Sequence, residues 1–111
     1  MVKIYDTDTV HEMARKIYYF FDVNASVSIK GFVKIEERMK LIPKGEAVIE
    51  QLKLFDEIDN IREKMNTRGI KKQRDYVYPS NSIGGPNVQK QFRYESRIRD
   101  GEPFITIWRT Q

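Results

Sequence analysis

The residues of this sequence that could do chemistry are gathered near its end, in the stretch QFRYESRIRDGEPFITIW from Gln91 to Trp108. The stretch holds three arginines, a tryptophan, a tyrosine and two phenylalanines. Guanidinium groups hydrogen-bond phosphate oxygens, and aromatic rings can stack on nucleic-acid bases. This combination is typical of a surface that binds a negatively charged partner such as nucleic acid.

The Asp100-Gly101 step predicts how this stretch folds. Placed between two alternating runs, it indicates a β-hairpin with a type I′ turn, whose two central residues need positive φ. This turn sets Arg93 opposite Trp108 and Arg97 opposite Phe104. One face of the hairpin is then largely apolar and should lie on the helices: Phe92, Tyr94, Ile98, Pro103, Ile105 and Ile107. The other face carries Arg93, Glu95, Arg97 and Arg99 on one strand and Glu102, Phe104, Thr106 and Trp108 on the other.

Three interpretations of the Arg-aromatic face stay open. It could bind nucleic acid or another anionic ligand through its arginines. It could be purely structural, because an arginine over an aromatic ring shields that ring and stabilises a sheet. It could also be an oligomer contact, in a homodimer for example, since Trp and Arg are frequent interface anchors.

Positive charge is concentrated in the same part of the chain. Residues 67–111 carry 9 basic and 4 acidic side chains, whereas residues 45–66 carry 3 basic and 6 acidic ones. A second basic cluster, TRGIKKQR, precedes the hairpin, and such segments often contact phosphates. The predicted nucleic-acid-binding residues are Arg68, Lys71, Lys72, Arg74, Lys90, Arg93, Arg97, Arg99, Trp108 and Arg109.

The elements that must position these residues can be predicted from apolar spacing. A helix is expected over 10–22, started by a capping box at Thr9 and Glu12. Helices are also expected over 32–42 and over 46–66, the last with one apolar face from Ala47 to Met65. Short strands are predicted at 26–30 and 76–78. Residues 3–5 could add a further strand, and 79–90 reads as a loop.

Composition excludes several functional classes. A chain of 111 residues suits a single domain, 1–111. It contains no cysteine and only one histidine, His11, so neither a zinc-thiolate site nor a His-rich metal site is expected. We expect no catalytic residues, metal or cofactor. No stretch approaches the ~18 apolar residues of a membrane span, and no secretion signal is evident, so no membrane contact and a cytoplasmic location are expected.

The predicted fold class is α+β, with three helices followed by a small antiparallel sheet that ends in a hairpin. This order resembles the outline of a winged-helix DNA-binding domain, in which the hairpin is the wing. The resemblance implies a small non-catalytic protein that binds nucleic acid, duplex DNA rather than RNA, through the hairpin and the basic loop. Contacts would lie on the phosphate backbone or in the minor groove.

Two alternatives compete with this expectation. The stretch YESRIRDGEPF resembles the strand-turn-strand near the end of RelE/ParE-type toxins, which implies an mRNA-cleaving enzyme that uses general acid–base groups. The other alternative is a phage or plasmid accessory protein that binds a protein partner through the Arg-aromatic face.

Overall fold

The computed structural model describes residues 2–35, 40–66, 82–83 and 90–111, with side chains for all of these except 63–66. The elements in chain order are α1 (Val10–Phe20), β1 (Ser26–Lys30), β2 (Phe32–Ile35), β3 (Lys40–Pro43), α2 (Lys44–Asn66), β4 (Ser82–Ile83), β5 (Phe92–Arg99) and β6 (Glu102–Arg109). The α+β class is therefore confirmed. The described residues contain two helices, so the prediction of three was wrong.

The helix predicted over 10–22 is confirmed as α1. The hydroxyl of Thr9 accepts a hydrogen bond from the backbone N–H of Glu12 at 3.1 Å, which satisfies one of the free amides of the first turn. The carboxylate of Glu12 turns to Arg15, whose Nε lies 3.1 Å away, so only half of the capping box forms.

The helix predicted over 32–42 is wrong, because this segment contains the antiparallel strands β2 and β3. Phe32 pairs with Pro43, and Ile35 pairs with Lys40. Exposure alternates along β2, which is the period of a strand and not of a helix. Short apolar runs fit both periods, and the β-branched residues Val33, Ile35 and Ile42 favour the strand.

The helix predicted over 46–66 is confirmed as α2, but its apolar residues do not share one face. Val48 and Leu52 are fully buried, whereas Leu54 and Ile61 are more than half exposed. Residues two apart on a helix point to nearly opposite sides, so Leu52 and Leu54 cannot both face the core.

The main sheet has four antiparallel strands in the order β1-β6-β5-β4. The predicted hairpin register is confirmed, with Arg93 opposite Trp108, Arg97 opposite Phe104 and Arg99 opposite Glu102. Asp100 and Gly101 have φ of 53° and 78°, as a type I′ turn requires. The strand predicted at 26–30 is confirmed as β1 and pairs with β6. Residues 3–5 form no strand, and the strand predicted at 76–78 lies outside the described residues.

Both helices pack on one face of this sheet, which we call the inner face. The buried core joins α1, α2 and this face. Its members are Met13, Ala14, Ile17, Tyr18, Phe21, Ile29, Val48, Ile49, Leu52, Ile83, Phe92, Ile105 and Ile107. The apolar hairpin face thus lies on the helices as predicted, with one exception. Ile98, near the hairpin tip, is 77% exposed.

The order of the described elements does not match the winged-helix outline. A strand and a β-hairpin stand between α1 and α2, where that outline needs a second helix. Two of its three helices and the terminal β-hairpin are present among the described residues.

The start of α2 can lie close to β6 because Gly45 has no side chain. A Cβ built on Gly45 would lie 2.6 Å from Cβ of Ile105, closer than real side chains approach. Gly45→Ala should therefore lower the free energy of unfolding by about 1 kcal/mol or more, although alanine is otherwise the better helix former by a similar amount.

Urea denaturation measures this effect, with exposed Lys53→Ala as the control that should stay within about 0.5 kcal/mol of wild type. A stabilised Gly45→Ala protein would show that α2 does not approach β6 this closely.

Candidate functional site

The candidate site is the face of the main sheet opposite the two helices, which we call the outer face. Strand alternation places every second side chain of β1, β5 and β6 on it. Its members are Ser26, Ser28 and Lys30 from β1, Arg93, Glu95, Arg97 and Arg99 from β5, and Glu102, Phe104, Thr106 and Trp108 from β6. These side chains include four cations and two carboxylates.

Phe104 lies under cations in the middle of this face. It is only 8% exposed, although its side chain lies on the outer face. The guanidinium of Arg99 sits 5.4 Å from the centre of its ring. The register places Lys30 on one side of Phe104 and Arg97 on the other. Because its ring is already covered, Phe104 is not a free platform for base stacking.

Arg97 is held by an ion pair within its own strand. Its NH2 lies 2.9 Å from Oε2 of Glu95, and both side chains are at least half exposed. Exposed pairs of this kind contribute little to stability. The guanidinium can therefore exchange this carboxylate for another anion at small cost.

Two of the predicted site residues lie elsewhere, at the end of α1. Nζ of Lys90 donates to the carbonyl of Tyr18 at 2.8 Å and lies 5.0 Å and 5.2 Å from the rings of Tyr18 and Tyr19. NH1 of Arg109 donates to the carbonyl of Phe21 at 2.6 Å. Cations at a helix C-terminus satisfy its free carbonyls and complement its dipole. The structure thus brings Arg93, Arg97, Arg99 and Trp108 together and separates Lys90 and Arg109 from them.

The other four predicted residues, Arg68, Lys71, Lys72 and Arg74, lie outside the described residues. Sequence reasoning did not include Lys30 in the site. The alternation of SVSIK indicated a strand, but only the pairing of β1 with β6 puts Lys30 beside Phe104.

Helix α2 carries a net negative charge. The described side chains of α2 include five carboxylates and three cations. Asp56 is half buried, and its Oδ1 is enclosed without a hydrogen bond from any described residue. Burial, with the charges of Asp59 and Glu57 acting in the same direction, raises the pKa of Asp56 to about 6.

Within the described ranges, no group of three or more His, Asp or Glu is placed to hold a metal ion. Neither described helix combines the length and apolar character that crossing a bilayer requires.

The chain was compared with protein-family models, with curated proteins and with solved structures. It has no match in any of the three.

The raised pKa of Asp56 makes stability depend on pH. The folded protein holds this proton up to about pH 6, whereas the unfolded chain loses it near the ordinary aspartate pKa of 3.8. The contribution of Asp56 to stability is therefore lost as pH rises from about 4 to about 6. Asp56→Asn should be more stable than wild type at pH 7.5, and the difference should shrink towards pH 4.

Urea denaturation of both proteins at several pH values measures this difference. A difference that is independent of pH would mean that Asp56 ionises normally in the folded state.

The contacts of Lys90 predict a structural role for its charge. Lys90→Met keeps the length of the aliphatic stem but removes the ammonium and its bond to Tyr18. This change should lower the free energy of unfolding by about 1.5–3 kcal/mol, the usual range for a hydrogen bond that involves a charged group.

Thermal and urea unfolding test this, with Lys53→Met as the matched change at an exposed position of α2. Equal stability of the two variants would contradict the structural role of Lys90.

Proposed function

We propose that this protein binds nucleic acid without cleaving it, and that the outer face is the binding surface. Duplex DNA is the favoured partner. The cations that contact the phosphate backbone are Arg93, Arg97, Arg99 and Lys30. The bases within their reach are those exposed in the minor groove. The basic cluster at 68–74 extends this proposal but lies outside the described residues.

The observation that supports this proposal most is the difference in charge between the outer face and α2. The outer face has four cations against two carboxylates, and α2 on the other side has an excess of carboxylates. A separation of this kind orients a polyanion towards one side before contact is made. The acidic helix would in turn be repelled from DNA.

The spacing of the cations favours a partner with regularly repeated charges. Side chains two residues apart on a strand are about 7 Å apart, and adjacent strands are about 4.8 Å apart. Arg97 and Arg99 thus form a short row along β5, with Lys30 two strands away. A rigid sheet fixes these distances, as suits a duplex whose phosphates repeat regularly.

Arg97 and Arg99 can both reach phosphate from their present positions. Arg99 keeps its five N–H donors while its plane covers Phe104, since that contact uses the face of the guanidinium. Arg97 exchanges Glu95 for a phosphate oxygen. Because Phe104 is covered, we infer backbone contact and not base stacking, and so weak sequence preference with strong salt dependence.

The toxin-like nuclease is the second candidate, and one observation favours it. The described chain has two helices packed together beside an antiparallel sheet, and this helix count fits the toxin outline. However, β1 and the β2-β3 hairpin separate the helices along the chain, whereas the toxin outline has a continuous helical hairpin.

Replacing Arg97 and Arg99 together with alanine should weaken binding to a labelled duplex. The slope of log K against log salt concentration should flatten by about two units, close to one for each lost phosphate contact. Fluorescence anisotropy at several salt concentrations measures both effects. Gel analysis of an RNA probe after incubation with the protein tests the nuclease alternative, because cleaved RNA would support that enzyme.

The matched control is Lys53→Ala with Arg62→Ala, which removes the same charge from exposed positions on α2. Equal losses in the two double variants would mean that only net charge matters. Unchanged affinity in the Arg97/Arg99 variant would exclude the outer face as the site.

A further inference from the structure

The β2-β3 hairpin forms a two-stranded sheet of its own, which we call the arm. Its strands are Phe32–Ile35 and Lys40–Pro43, and they pair with each other. Gly31, with a φ of 83°, separates the arm from β1, and this backbone conformation suits glycine. The backbone N–H of Lys44 donates to the carbonyl of Gly31 at 2.8 Å. This hydrogen bond closes the base of the arm at the end of β1.

One face of the arm exposes large apolar side chains. Paired residues point to the same side of a sheet, so this face carries Phe32, Lys34, Leu41 and Pro43. Phe32 is 53% exposed and Leu41 is 64% exposed, whereas the apolar residues of the opposite face are partly buried. Phe32 and Leu41 are diagonal neighbours, about 7–8 Å apart, so their side chains can act as one apolar pair.

The arm begins directly beside the cations of the outer face. Lys30, which lies opposite Phe104 on that face, precedes Phe32 by two residues. Their Cα atoms are therefore at most about 7 Å apart. β3 also contacts β6. A shallow cavity of about 70 Å3 lies between the end of β1 and the hairpin turn, lined by Lys30, Arg99, Asp100, Glu102 and Phe104. A molecule bound at this end of the outer face would therefore lie next to the arm.

The arm also carries positive charge of its own. Lys34 and Lys40 are exposed, and the described side chains of β2 and β3 include no carboxylate. Residues 36–39 lie outside the described ranges, yet the whole segment 30–44 has five cations and two carboxylates. The surface therefore combines an apolar pair with a positive charge, which suits a partner that offers both apolar contact and negative charge.

We propose that the arm is a second contact with duplex DNA, in which Phe32 and Leu41 enter the minor groove beside the phosphates bound by the outer face. This inference rests on the proposed function and deepens it. Apolar side chains such as Phe and Leu can enter the minor groove, partly unstack a base step and kink the duplex. Lys34 lies opposite Leu41 on the same face, and it contacts a phosphate at the edge of the groove.

Another protein is the alternative partner for an exposed apolar pair. The lysines of the arm favour DNA, because lysine is depleted at protein–protein interfaces whereas protein–DNA interfaces are strongly positive. The position of Lys30 between the arm and the other outer-face cations favours DNA as well, since a polyanion can contact both surfaces at once.

Bending of the duplex tests the apolar pair directly. A duplex of about 20 base pairs with a dye at each end should show increased energy transfer when the wild-type protein binds, because a kink of about 20–90° brings the ends closer. Phe32→Ala with Leu41→Ala should leave the duplex straight and lower the affinity roughly fivefold or more. The slope of log K against log salt concentration should not change, because apolar contacts release no counterions.

Two other variants serve as comparisons in this experiment. Leu54→Ala with Ile58→Ala, at apolar positions of α2 that are about half exposed, is the matched control and should bend the duplex as wild type does. Lys34→Ala should flatten the salt slope by about one unit while bending persists. Phe32→Ala alone, which changes one exposed side chain, should also reduce bending and guards against a folding defect in the double variant.

The outcomes separate this inference from the proposed function. A straight duplex in the wild-type complex, or equal bending and affinity in the Phe32/Leu41 variant, would overturn the inference and assign the apolar pair to a protein partner. The Arg97/Arg99 dependence of binding would then still stand. If the wild-type protein binds no duplex, the proposed function fails and this inference fails with it.

Discussion

The docking of both helices on one face of the main sheet is the constraint on which the rest of the structure depends. α2 comes within contact distance of β6 because Gly45 has no side chain at the point where Ile105 lies. This approach lets Val48 and Leu52 reach the sheet, and α1 completes the cover with Ile17. Each such buried side chain contributes about 1.5–3 kcal/mol, so this packing is the main source of stability. Of the described elements, both helices lie on this inner face.

The charge distribution follows from this one-sided packing. Four cations lie on the outer face, where Arg99 covers Phe104 and Arg97 pairs with Glu95. The acidic residues of α2 lie on the other side, and one of them, Asp56, is enclosed enough to hold its proton unusually well. Lys90 and Arg109, which look similar to the outer-face cations in the sequence, are used to close the end of α1. The same residue types thus serve structure in one place and, in our proposal, binding in another.

The features that could be predicted from the sequence are those set by neighbouring residues. The hairpin register followed from the need for positive φ at Asp100 and Gly101, and the start of α1 followed from Thr9. The segment 32–42 could not be assigned correctly, because its apolar residues fit a helical period as well as a strand. The roles of Lys90 and Arg109 could not be predicted either. Their acceptors are backbone carbonyls 72 and 88 residues away, and no local pattern encodes such contacts.

The most direct test of the central claim is an amide chemical-shift titration of the isotope-labelled protein with a short DNA duplex at low salt. We predict shifts along β5 and β6, centred on Arg97, Arg99 and Thr106, with additional shifts at Lys30. Amides of α2 between Lys53 and Arg62 should not move. Shifts centred on α2, or no shifts at a salt concentration where phosphate contacts are strong, would contradict nucleic-acid binding by the outer face.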